Sequence, residues 1–170
     1  IAKWSGEKIY KEMIVNAEWG NFYGVNRTDF DDLLDSDTKS PGVHQFEKMI
    51  SGKYLGELAR RVLIGAVNEN MLFGGVTPAK LLEVLNEEDD SIGFQSKWVS
   101  DIENDNTADL ETVGKIFLDE ANVTTTLEER RLIKDICSAV SERAARMSAA
   151  AIGATVEMMD PKFGRQHVIA

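Results

Sequence analysis

The chain has 170 residues, with 19 Lys and Arg against 29 Asp and Glu, a formal net charge of −10 and a pI near 4.7. Its 43% hydrophobic content excludes intrinsic disorder, and its acidity argues against nucleic acid or an anionic membrane as partner, because both are recognised by clustered positive charge. One cysteine, Cys137, excludes an internal disulfide and fits a reducing compartment. No run approaches the roughly 18 apolar residues that span a bilayer, and Ile1-Ala-Lys-Trp4 does not read as a leader. Cytoplasmic residence is therefore expected.

In chain order, Glu12 to Ala17 is a short apolar run with a β-branched pair, bounded by Trp19-Gly20, and predicts a buried strand. Residues 28–37 hold five aspartates and no Lys or Arg, which predicts a solvated acidic loop. Ser40-Pro41-Gly42 reads as a helix start. Apolar residues at Val43, Phe46, Ile50, Tyr54, Leu58, Val62 and Ala66 mark one buried face of a single helix, which should end near Gly74-Gly75. Thr77-Pro78 predicts a shorter helix through Leu85. Residues 86–112 hold nine acids and one Lys, with Phe94 to Ser100 as the apolar anchor. Asn106 or Thr107 should cap a helix to Glu120, with Asn122 as a left-handed stop. Thr126-Leu-Glu-Glu129 is a capping box that opens the longest pattern, to about Met159, closed by Asp160-Pro161. Its second half is rich in Ala, Ser and Gly, which suits close approach to another element. His167 to Ala170 begin a β-like run.

Among motifs that carry chemistry, Gly-rich nucleotide loops and the G-x-S-x-G elbow are absent. His44 and His167 lie far apart without a Cys/His cluster, so no metal site is expected. Cys137 falls on the apolar stripe of the last helix with Ile133, Ile136 and Val140 and reads as a core thiol. Two carboxylates stand in apolar context: Glu18 before Trp19-Gly20, and Glu47 between Phe46 and Met49. Such groups need donors to offset desolvation, and sugar hydroxyls are suitable donors. A Glu near a helix N-terminus also simply favours the helix dipole, and spacing alone leaves both readings open.

The same residues carry a resemblance. Val15-Asn-Ala-Glu-Trp-Gly20 and Ser40-Pro-Gly-Val-His-Gln-Phe-Glu-Lys-Met-Ile-Ser-Gly-Lys-Tyr-Leu-Gly-Glu57 resemble the second signature region of the eukaryotic hexokinases and glucokinase. Arg27 to Asp31 with Asp35, Phe94 to Glu103 and Ser141 to Ala151 resemble further segments in the family's order. The resemblance implies an α/β, helix-rich chain that is part of the large lobe of an actin-like (ribonuclease H-like) ATPase fold. Residues 1–170 would then form a partial large domain, with the small lobe of the same protein as its missing partner. It implies phosphorylation of glucose or a related hexose at the 6-hydroxyl by Mg-ATP, the first step of glycolysis. By the same resemblance Glu18 and Glu47 are sugar carboxylates, and His44 stands where the family usually has a sugar-side Gln. Gly52 and Lys53 match a stretch lining the nucleotide phosphates, though Lys53 also reads as a solvated helix lysine. Ser96 and Ser100 bound a nucleotide-side segment. Trp19 and Phe46 would position the carboxylates, while Asp31 and Asp35 would fix the loop rather than touch substrate.

The family's general base, an Asp in an N-D-x-x-G-T block, has no counterpart in the sequence, and neither do the D-G-G-G-T-N phosphate loop and the adenosine-side V-D-G-S-x-Y block. No catalytic residue is assigned in this chain, which should be inert alone. The alternative is a naturally truncated, non-catalytic sugar-binding or regulatory protein.

Overall fold

The computed structural model describes residues 16–85, 88 and 92–168. All regular structure among them is helical: α1 (Asp29–Asp37), α2 (Gln45–Ile50), α3 (Gly52–Asn68), α4 (Ala79–Leu82), α5 (Ser96–Glu103), α6 (Glu111–Ala121) and α7 (Leu127–Met159), with 3-10 turns at Trp19–Asn21 and Phe73–Gly75. Most of the strand expected over 12–17 lies outside the described residues, as does the end of the run at 167–170.

The amphipathic pattern through residues 43–66 belongs to two helices. Ser51 breaks it with extended backbone (φ −73°, ψ 135°), closing α2 and capping α3, its hydroxyl accepting from the Lys53 N–H at 3.4 Å. A break of one residue leaves the spacing of three and four intact, so periodicity does not reveal it. Ser40 and Pro41 are not the helix start, because His44 holds the N-cap position of α2 in a left-handed conformation. α3 stops at Asn68, before the glycines. The helix expected through Leu85 ends at Leu82.

One core gathers Leu58, Leu63 and Val67 of α3, Trp98 and Ile102 of α5, Val113 and Phe117 of α6, and Ile133, Cys137 and Val140 of α7. Phe94 meets Trp98 edge-on at 5.3 Å between ring centroids. Gly56 sets the spacing between α3 and α5: a Cβ there would lie 2.1 Å from the Phe94 carbonyl oxygen and 2.5 Å from the Ser96 nitrogen. The Thr126 capping box forms as expected, and its Glu129 also accepts the Phe73 N–H at 2.8 Å, joining the start of α7 to the 73–75 turn. Asn122 takes the left-handed stop (φ 53°). α6 begins later than expected. Asp105 accepts from Thr107 and from the Val113 N–H, and Thr107 accepts from the Glu111 N–H, so residues 105–110 wind into a turn ahead of the helix. The small-residue half of α7 is largely uncovered: Ala144 is buried, but Ala149, Ala150, Gly153 and Ala154 are exposed.

The acidic stretch is a helix, not a solvated loop. Thr28 and Asp31 form a capping box, and acids in the first turn suit the helix dipole. Asp31 and Asp35 are buried and draw cations from elsewhere in the chain. Asp31 pairs with Arg143 of α7 at 2.7 Å, and Asp35 pairs with Lys48 of α2 at 2.7 Å. Exposed Asp37 pairs with Arg61 of α3, which shares Glu57 with Arg60, and Arg60 donates to the Leu81 carbonyl. Burial works to raise the Asp35 pKa, but hydrogen bonds from Lys48, Gly42 and Gln45 outweigh it and hold the carboxyl below its ordinary value.

Gly56→Ala forces backbone against backbone and should cost at least about 1–3 kcal/mol in urea unfolding. Gly114→Ala displaces only the Arg130 guanidinium and should stay within about 1 kcal/mol of wild type, helix propensity offsetting the shift. With its native pKa depressed, Asp35 contributes stability that is complete above its unfolded pKa and lost as pH falls through the native one. Asp35→Asn should therefore be less stable at neutral pH and lose less on acidification below about pH 4, read by unfolding midpoints across pH.

Candidate functional site

The turn that follows Glu18 lies against the segment that carries His44 and Glu47. Glu18 precedes the Trp19–Asn21 turn in a left-handed conformation (φ 41°), and its Oε1 accepts from Asn16 Nδ2 at 2.7 Å. The turn lies against the start of α2. Asn21 Oδ1 accepts the His44 N–H at 2.6 Å, and Phe22 packs edge-on to Phe46 at 5.9 Å. Gly20 is the point of closest approach: a Cβ on it would lie 3.1 Å from Glu47 Oε2 and 3.2 Å from His44 Nδ1. His44 Nδ1 is 3.5 Å from Glu47 Oε2, and both side chains are about half exposed. Phe46 is buried and anchors α2, while Trp19 is half-buried beside the turn.

At this contact the Glu47 carboxylate stands beside the His44 imidazole. Glu18 and His44 both hold φ > 0 without being glycine, a strained state that costs on the order of 1–3 kcal/mol and persists only where surrounding structure enforces it. Asn16 and Asn21 are the residues that sequence reasoning missed. Their only signal was proximity to Glu18-Trp-Gly20, since an Asn there reads equally as a turn former.

The second group is built on α3 and α5. Gly52 and Lys53 form the exposed first turn of α3, and Lys53 Nζ sits 5.5 Å from the Tyr54 ring centroid. A Cβ on Gly52 would meet nothing within 4 Å. Ser96 opens α5, and its hydroxyl accepts the Gly56 N–H at 2.8 Å, so it fastens α5 to α3. Ser100, one turn later on the same face, is exposed and takes the Asn104 side-chain amide on its carbonyl at 2.8 Å. A helix N-terminus with a lysine in its first turn suits an anionic phosphate. Among the described residues, no group of three or more His, Cys, Asp or Glu could hold a metal ion.

Asp31 and Asp35 are committed to Arg143, Lys48 and neighbouring donors, so they fasten helix α1 to α7 and α2 and do not fix a loop. Cys137 is a core thiol: burial, with the nearby Glu103 charge, raises its pKa to about 12. That removes the thiolate needed for nucleophilic chemistry at neutral pH.

The family model described as "Hexokinase" matches residues 1–170. Hexokinase-2 of Oryza sativa subsp. japonica is 40% identical over 146 residues, covering 83% of this chain and 28% of that protein. The chloroplastic Hexokinase-2 of Nicotiana tabacum is 36% identical over 168 residues, covering 94% and 32%. The crystallised hexokinase of Schistosoma mansoni, complexed with glucose, superposes with a TM-score of 0.68 at 28% identity, covering 79% of this chain and 29% of that one. The fold is accordingly that of part of an actin-like ATPase. The chain spans only 28–33% of the length of the curated relatives it matches. The expectation of cytoplasmic residence is overturned, because a relative 36% identical to this chain is a chloroplastic hexokinase. No helix among the described residues is long and apolar enough to cross a membrane. The chain belongs to the hexokinase family.

Proposed function

We propose that the chain is part of the large lobe of an ATP-dependent hexokinase that phosphorylates glucose or a related hexose at its 6-hydroxyl. The observation that carries this reading is the convergence at Gly20, where the Glu18-Trp-Gly20 turn lies against His44 and Glu47, more than twenty residues away in sequence. Glu18 and Glu47 accept hydrogen bonds from sugar hydroxyls, the charge-assisted kind that fixes a ligand's orientation. His44 supplies a further hydrogen bond from its ring. ATP supplies the phosphoryl group. Gly52 keeps the start of α3 open to its phosphates, Lys53 adds a cation, and Ser96 and Ser100 line the same side of the nucleotide. The general base, the remaining phosphate contacts and the adenosine pocket belong to parts of the protein outside these 170 residues. The family relatives, each about three times as long, support that division.

Three outcomes test the reading in the full-length protein with a coupled assay of hexose-dependent ADP formation. Glu18→Gln and Glu47→Gln should each lower kcat/KM for the hexose by about 10- to 100-fold, the scale of a lost hydrogen bond to a charged group. Gly20→Ala should raise the hexose KM with little change in thermal midpoint, because its Cβ presses only on the ends of two half-exposed side chains. The 170-residue chain alone should form no ADP above background. A rate proportional to chain concentration would overturn the proposed division of the protein.

A further inference from the structure

The best-buried charged side chain beside the site belongs to Lys48, which follows Glu47 in α2 and is 4% exposed. Its Nζ donates to Asp35 Oδ1, Thr38 Oγ1 and the Ser40 carbonyl, each at 2.7 Å. Asp35 Oδ2 accepts from the Gly42 N–H at 2.9 Å and from Gln45 Nε2 at 3.3 Å. The ion pair therefore binds Thr38, Ser40, Gly42 and Gln45, the segment that leads into His44 and Glu47. α2 has six residues, less than two turns, and cannot hold its own direction. Its other inward anchors, Phe46 and Met49, are apolar and fix burial rather than angle. The left-handed backbone of His44 also needs enforcement from outside.

We propose that Asp35 and Lys48 are positioning residues for the sugar contacts: their buried ion pair sets the direction in which the His44–Glu47 turn presents its imidazole and carboxylate. This rests on the hexose site proposed above. α3 has its own fastenings, the Gly56 N–H to Ser96 and the Glu57–Arg60–Arg61 cluster. Losing the pair should therefore disturb the hexose side and spare the nucleotide side.

The test is steady-state kinetics of the full-length protein, varying glucose and ATP separately, at a temperature where circular dichroism shows each variant folded. Lys48→Met should raise the glucose KM on the order of 10- to 100-fold, the cost of an ångström-scale misplacement, with the ATP KM within about twofold of wild type. Lys48→Arg, which keeps the charge, should recover part of that loss. Should Lys48→Met not fold, Thr38→Val removes one of the three oxygens around Nζ and should give the same selective rise on a smaller scale. A lowered thermal midpoint with an unchanged glucose KM, or equal rises for both substrates, would make the pair purely structural and overturn the inference. Glu47→Gln serves as control. If it raises the glucose KM while Lys48→Met does not, the inference fails and the hexose-site reading stands. If neither variant shifts it, both fail.

Discussion

The buried contact between Asp35 and Lys48 is the constraint around which this part of the molecule is arranged. Taking both charges out of water is costly, and their attraction offsets that cost only when the remaining hydrogen-bonding capacity is also satisfied. Here it is satisfied, by Thr38, Ser40, Gly42 and Gln45. The pair and those four partners together fasten α1 to α2 and to the segment between them. The value of such a pair lies in the alternatives it forbids, since a misdirected α2 would leave an uncompensated charge in the interior.

The same logic runs along α1. A chain with a net charge of −10 places two aspartates on the inner side of one short helix, and each recruits a cation from another element: Lys48 from α2 and Arg143 from α7. Arg143 is 112 residues away from its partner. At the other end, Glu57 receives both Arg60 and Arg61, and Arg60 reaches the last turn of α4. The apolar core supplies the bulk of the cohesion, whereas these ion pairs decide how the helices are clocked relative to one another.

What was legible in the sequence was local. The Thr126–Glu129 box, the Asn122 stop, the Pro161 terminator and the buried thiol of Cys137 are each decided by neighbours within a few residues or by one helical stripe, and all appear in the structure. What was illegible was decided at a distance. Asp31 and Asp35 look solvated in sequence because the cations they pair with inside the fold are encoded elsewhere. The interruption at Ser51 was hidden because apolar spacing continues through it. The left-handed backbone at Glu18 and His44 has no sequence signal, since it is imposed by packing on residues that do not favour it. Of the candidate site, the two carboxylates and the imidazole were readable as residue types. The part Gly20 plays, allowing the turn after Glu18 to lie close to His44 and Glu47, depends on a contact between two distant blocks.

Ser51 separates two helices that carry different halves of the surface, Glu47 on one and Lys53 on the next. With the peptide units on either side planar, a one-residue joint has just two soft torsions, φ and ψ. The angle between the two helix axes, and with it the spacing of the backbones that carry Glu47 and Lys53, is set by that single pair of numbers. Neither half can be retuned by rotating this joint without swinging the other. The two helix ends are geared together by the backbone of one serine.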